Sequence, residues 1–192
     1  MHRKYVLSLI ISVFVLLSVF AAARTGVSYA VNTRAHSSPE ILGTVTHDAQ
    51  FDALDEQRVR FAARHGVANP AALVVAVKQS RLADLLISVA IEESLGDPIA
   101  VGLFGEKGAW QVIASHWGAV PEDIHGQAAQ AERIIRGLLN SAKGNKKEAL
   151  ARYNGGAAPP GESYLYAERI LKREGLLKVA ANFFPVKGAT SQ

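Results

Sequence analysis

Arg81-Leu82-Ala83-Asp84-Leu85-Leu86-Ile87-Ser88-Val89-Ala90-Ile91-Glu92-Glu93-Ser94-Leu95-Gly96-Asp97-Pro98 is an apolar run that ends in two acids and is stopped by glycine and proline. The spacing predicts a helix over 81–94, with Ser80 as its cap. At about 100° per residue, Leu82, Leu86, Val89 and Ala90 fall on the same side as Glu93. Glu92 is rotated about 100° away, toward Arg81 and Ser88, where a carboxylate stays hydrated or paired. The second acid is therefore the unusual one, because it extends an apolar stripe.

Upstream of this run, Phe51, Leu54, Arg58, Phe61 and Ala62 recur at helical spacing through Arg64, with Asp48 expected to cap that helix and Gly66 to end it. Asn69-Pro70 is a cap followed by proline at the first helical position, opening a short segment over 71–77. Downstream, a glycine-rich loop spans 101–108. Ala128, Ala131, Ile134, Ile135, Leu138, Leu139 and Ala142 then form the clearest amphipathic stripe in the chain. Gly144-Asn145 ends that helix. Another starts over 146–153, a Gly/Pro loop follows over 154–161, and helical spacing resumes over 164–172. No two-residue alternation of strand type is present, so the fold class is mainly α. Trp110 and Trp117 are seven residues apart and are expected to share a helical face in the core.

The chain has 192 residues, 49% of them hydrophobic, enough for one sizeable core. His2, Arg3 and Lys4 precede an acid-free apolar run over 5–23, with small residues at Ala21-Ala22-Ala23 and Ser28-Tyr29-Ala30. This reads as an export signal or an N-terminal membrane anchor over 1–30. Low-periodicity sequence over 31–47 reads as a linker, 48–182 as the folded domain, with its motifs over 80–172, and 183–192 as a tail. The formal charge is +4, but three bases and no acid lie before Val31, so the remainder is nearly neutral. That composition argues against a nucleic-acid partner. There is no cysteine, which removes thiol nucleophiles and thiolate ligands. The six histidines show no metal-ligand spacing, so neither metal nor cofactor is expected.

A carboxyl withdrawn from water has a raised pKa, because its charged form is desolvated. Glu93 is on that ground a candidate general acid near neutral pH. The glycines at 102, 105 and 108 let the chain turn back over the helix end, where Gln111 offers a neutral amide. Tyr153-Asn154-Gly155-Gly156 offers an aromatic face, a second amide and a flexible turn. Neutral amides and aromatic platforms suit a sugar.

Taken in order, these stretches resemble the SLT-type lytic transglycosylases, a lysozyme-like family related to goose-type lysozyme. The residues that carry the likeness are Glu93-Ser94, Pro98, Ala100, Gly105-Glu106-Lys107-Gly108-Ala109-Trp110-Gln111, Ala151-Arg152-Tyr153-Asn154-Gly155-Gly156 and Tyr166. The resemblance implies a lysozyme-like domain without cofactor or metal, with Glu93 as the single catalytic acid/base. It places Ser94, Gln111, Tyr153, Asn154 and Tyr166 around the substrate, a peptidoglycan glycan strand. It further implies cleavage of the MurNAc-GlcNAc β-1,4 bond with formation of a 1,6-anhydro sugar. An exported location in the periplasm or cell envelope follows, with secretion, conjugation or pilus machinery as the partners such enzymes serve and membrane contact only through the N-terminal segment. Gly96 departs from the pattern, since a larger residue is common there, and thinner packing behind the acid is the expectation.

Two rivals share these features. A hydrolytic lysozyme would deliver water to the same centre, with Asp97 or Glu106 as a second carboxylate. A non-catalytic wall-binding or assembly module would use the fold without cutting the strand.

Overall fold

The computed structural model describes residues 51–183; the segments expected at 1–30 and 31–47, Asp48, and the tail from residue 184 on lie outside them. The described part is mainly helical. Its elements are α1 (Ala53–Arg64), α2 (Pro70–Val77), α3 (Ala83–Ser94), β1 (Glu106–Lys107), β2 (Val112–Ile113), α4 (Ala114–Trp117), α5 (Ile124–Ser141), α6 (Lys146–Gly155) and α7 (Gly161–Phe183). The two strands form one antiparallel hairpin, Glu106 opposite Ile113 and Lys107 opposite Val112.

Local chemistry explains most boundaries. The cap of α1 is Asp52, which accepts from Asp55 N at 2.8 Å, rather than the expected Asp48. Asn69 accepts from Ala72 N at 3.1 Å and Pro70 opens α2, as the sequence indicates. Ser80 Oγ accepts from Leu82 N at 2.9 Å, so its capping bond lies one turn before the helix proper. Asp123 and Asn145 cap α5 and α6 through Gly126 N and Glu148 N. The last helix is longer than its apolar spacing suggested, because it begins at Gly161 and runs on to Phe183.

α3 lies at the centre, packed against α7, α2 and α1. It is buried all round, not along one stripe: Ala83, Leu85, Leu86, Ile87, Ser88, Val89, Ala90 and Ile91 are all buried. The face carrying Asp84, Ser88 and Glu92 at four-residue spacing therefore does not look onto water. Arginines satisfy it instead. Arg58 of α1 reaches Asp84 at 2.8 Å, and Arg173 of α7 donates to Ser88 O at 3.1 Å and Glu92 Oε2 at 3.1 Å. A buried polar group costs about 1–3 kcal/mol if left unpaired, so this seam fixes how the helices dock.

The tryptophans do not share a face. Trp110 is fully buried and its Nε1 donates to Leu86 O at 3.0 Å. Trp117 ends the four-residue α4 and is 44% exposed, so the expectation of two core tryptophans fails for the second.

Candidate active site

Glu93 is the penultimate residue of α3. The helix ends there because Leu95 and then Gly96 take left-handed backbone, with φ of 57° and 74°. Leu95 N donates to Ile91 O at 3.3 Å and Gly96 N to Ala90 O at 3.0 Å, which closes the last turn. A leucine in that conformation is strained by about 1 kcal/mol or more. Gly96 is buried, and a β-carbon placed on it would stand 3.2 Å from both Leu73 and Val67. Leu73 of α2 and Val67 of the loop before it thus close over Gly96 and leave little room there for the larger side chain.

The Glu93 carboxyl is enclosed by Tyr166 of α7, which donates its hydroxyl hydrogen to Oε1 at 2.5 Å. Burial pushes the carboxyl up from 4.5 to about 7, opposed by the Tyr166 hydrogen bond and reinforced by the negative charges of Glu92 and Glu106. The C-terminal end of α3, where carbonyls point outward, also disfavours an anion. As a whole residue Glu93 keeps part of its surface open. Glu92 beside it has a different fate. Its oxygens accept from Arg169 at 2.7 Å and Arg173 at 3.1 Å. Two adjacent carboxyls are thus split into a neutral-leaning one and an ion-paired one.

The segment from Pro98 to Gln111 straps over this helix end. Ser94 Oγ donates to Ala109 O at 2.8 Å and accepts from Asp97 N at 3.0 Å. Tyr153 of α6 donates to Trp110 O at 2.6 Å, and both burial and the Glu93 charge push its hydroxyl pKa up. Gln111, in left-handed backbone at φ 47°, turns its Nε2 inward to Gly108 O at 2.9 Å and Ala100 O at 3.4 Å. What its side chain presents elsewhere is the oxygen, an acceptor. A β-carbon on Gly102 would come within 2.3 Å of Glu106 Oε2 and 2.7 Å of Gln111 Oε1, so only glycine leaves those two oxygens their places. Asn154 is exposed, and its Oδ1 accepts from Ser163 Oγ at 2.9 Å, which fixes how the amide is turned.

Of the residues singled out in the sequence, Glu93, Tyr153 and Tyr166 form one connected cluster, and Ser94 and Gln111 are tied to the strap beside it. Asn154 sits at the end of α6, one residue beyond Tyr153. Glu106 is close enough for its charge to act on Glu93, whereas Asp97 is not among the charges that do. Asp97 instead lines a separate hollow of about 290 Å³, between Gly66, Ala68 and Asn69 on one side and residues 94–98 on the other. Glu93 does not line it.

Two residues that sequence reasoning missed are Gln127 and Gln130 of α5, 2% and 3% exposed. The side-chain nitrogen of Gln127 donates to carbonyls of the strap and of the loop before α5, and that of Gln130 to carbonyls of residues 117–119. A signal existed, since both fall in register with Ala131 and Ile134 on the buried stripe, where an amide must find partners. No His, Asp or Glu grouping among the described residues has the arrangement of a metal site. No protein-family model matches the chain, and no curated protein matches it in sequence.

Proposed function

We propose that this chain is an exported peptidoglycan lytic transglycosylase on a lysozyme-like helical domain, acting through Glu93 alone as acid and base. The observation that carries this reading is a carboxyl held near neutrality by burial while Tyr166 orients it, at the position where the ordered motifs of the family put the acid. A carboxyl of that kind can give a proton to a leaving oxygen at neutral pH and take one back afterward.

In the first step Glu93 protonates the glycosidic oxygen between MurNAc and GlcNAc as the C1–O bond breaks. The acetamido group of the MurNAc ring supports the cationic centre at C1. The Glu93 carboxylate, still held by Tyr166, then removes the proton from the C6 hydroxyl as that oxygen bonds to C1. A 1,6-anhydro ring results, the carboxyl is protonated again, and no water is consumed. Ser94 keeps the helix end and the strap in register, while Gln111, Tyr153 and Asn154 are proposed to contact the sugar and its N-acetyl group. The exposed side chains of Val101, Leu103, Phe104 and Trp117 offer apolar surface suited to ring faces.

The test is turbidity clearing of purified sacculi by the Glu93→Gln protein. Gln keeps the shape and the Tyr166 bond but cannot transfer a proton, so activity is expected to fall by about a thousandfold or more. Retention of most activity by a folded variant overturns the reading.

One observation favours a second reading, hydrolysis by a lysozyme. Glu106 acts on Glu93 electrostatically from the strap, as a second carboxylate that steers water would. Digestion in heavy-oxygen water decides between them: a hydrolase places one solvent oxygen at the new reducing end, and a transglycosylase places none.

A further inference from the structure

Gln127 has a position that a merely structural amide would not need. Its Nε2 donates to Pro98 O at 2.9 Å, Pro121 O at 3.0 Å and Glu122 O at 3.4 Å. Its Oε1 accepts from Ala109 N at 2.9 Å. One buried side chain therefore grips the strap at both ends, four residues past Ser94 at Pro98 and again just before Trp110. The fit is tight, because a β-carbon on Gly108 would lie 2.4 Å from Gln127 Oε1. At Ala109 the grip meets that of Ser94, which takes the carbonyl of the same residue at 2.8 Å. The next carbonyl, of Trp110, is held by Tyr153.

We propose that Gln127 is a positioning residue that holds the Pro98–Gln111 strap down on the end of α3 and so keeps water from the Glu93 carboxyl. The groups that act on that carboxyl are Tyr166 from α7, which bonds it, Tyr153 from α6, and the charges of Glu92 from α3 itself and Glu106 from the strap. Of these only Glu106 belongs to the segment Gln127 grips. Releasing the strap therefore hydrates the carboxylate and removes a repelling charge, and both effects move its titration in one direction, down.

Gln130 provides the control. It is equally buried on the same helix, and its Nε2 donates to Trp117 O at 3.2 Å, Gly118 O at 3.4 Å and Ala119 O at 3.2 Å, none of which is in the strap. Its loss should destabilise the fold without reaching Glu93. The catalytic meaning of this proposal rests on Glu93 being the acid; its readout does not, so the two readings can fail separately.

The experiment is carbon-13 NMR titration of the Glu93 side-chain carboxyl in the full chain, assigned by its absence in Glu93→Gln. In the unmodified protein the midpoint is expected at about 7. Gln127→Met should lower it by about one pH unit or more, and Gln130→Met should leave it within about 0.3. If Gln127→Met does not fold, Gln127→Asn replaces it in the same comparison, since it stays neutral and keeps an amide but is one methylene too short to hold both Pro98 O and Ala109 N. An unshifted midpoint in the Gln127 variant, or an equal shift in both glutamine variants, overturns the proposal.

Discussion

Tyr166 of α7 gives its hydroxyl hydrogen to Glu93 of α3 across 73 residues of sequence. That bond lowers the carboxyl pKa, while burial raises it by more. The acid is poised between the two effects, and the first prediction removes one of them. Tyr166→Phe leaves burial in place and deletes the bond that favours the anion. The alkaline limb of the pH–activity profile should then move upward by about half to one pH unit. A limb that stays in place or moves down contradicts the assignment of that bond to the acid.

Glu93 should cost the fold stability at high pH. The folded protein holds its proton up to about pH 7, whereas the ordinary value is 4.5. Between those values the folded state binds more protons than the unfolded one, so stability falls as pH rises through that window. The loss is full above about pH 7 and amounts to about 3 kcal/mol. Glu93→Gln escapes it. Urea unfolding at pH 8 should find the variant more stable by up to that amount, with the gap closing below pH 4.5.

Glu92 has the opposite character. Its ion pair with Arg173 is largely sheltered, with side chains 15% and 18% exposed, while Arg169 is 56% exposed and adds little. Glu92→Gln should destabilise the protein by about 1–2 kcal/mol, because Arg173 loses its charged partner beside the α3–α7 seam. Activity on sacculi should survive within a few fold. Loss of activity as complete as that of Glu93→Gln would mean that the wrong acid of the pair has been chosen.

Gly102→Ala separates the site from the core. The added methyl would displace Glu106 and Gln111, whose oxygens lie 2.3 and 2.7 Å from its position, and neither is a core residue. The midpoint of thermal unfolding should move by only a few degrees while activity falls about tenfold or more. An active variant would show that the strap tolerates a different arrangement of those oxygens.

Much of the helical framework was legible because it is written in local chemistry. Asn69-Pro70 opens a helix by its own side chain and ring, and the 128–142 stripe shows its buried face by period alone. Glu93 stood out for the same reason, as an acid in register with Leu86 and Val89. What could not be read depends on residues far apart in the chain. The sequence leaves Glu92 either hydrated or paired, and its partner Arg173 stands 81 residues further on, just as Arg58, which pairs Asp84 on the same face, stands 26 residues before it. The hairpin has strands of two residues, too short to show alternation. Trp117 was misplaced because helical periodicity was assumed to continue past Trp110, where the chain instead forms β2 and one short turn of helix. Gln127 lies one position before the 128–142 stripe and in register with Ala131 and Ile134, and a polar group in register with buried positions signals an obligatory set of partners, which only the fold names.

The most direct test of a single-acid transglycosylase is mass spectrometry of the fragments released from purified sacculi by the full chain at neutral pH. Muropeptides ending in 1,6-anhydromuramic acid, each one water lighter than the reducing form, are the predicted product. Fragments carrying only ordinary reducing ends, or no released fragments from a well-folded protein, would contradict it.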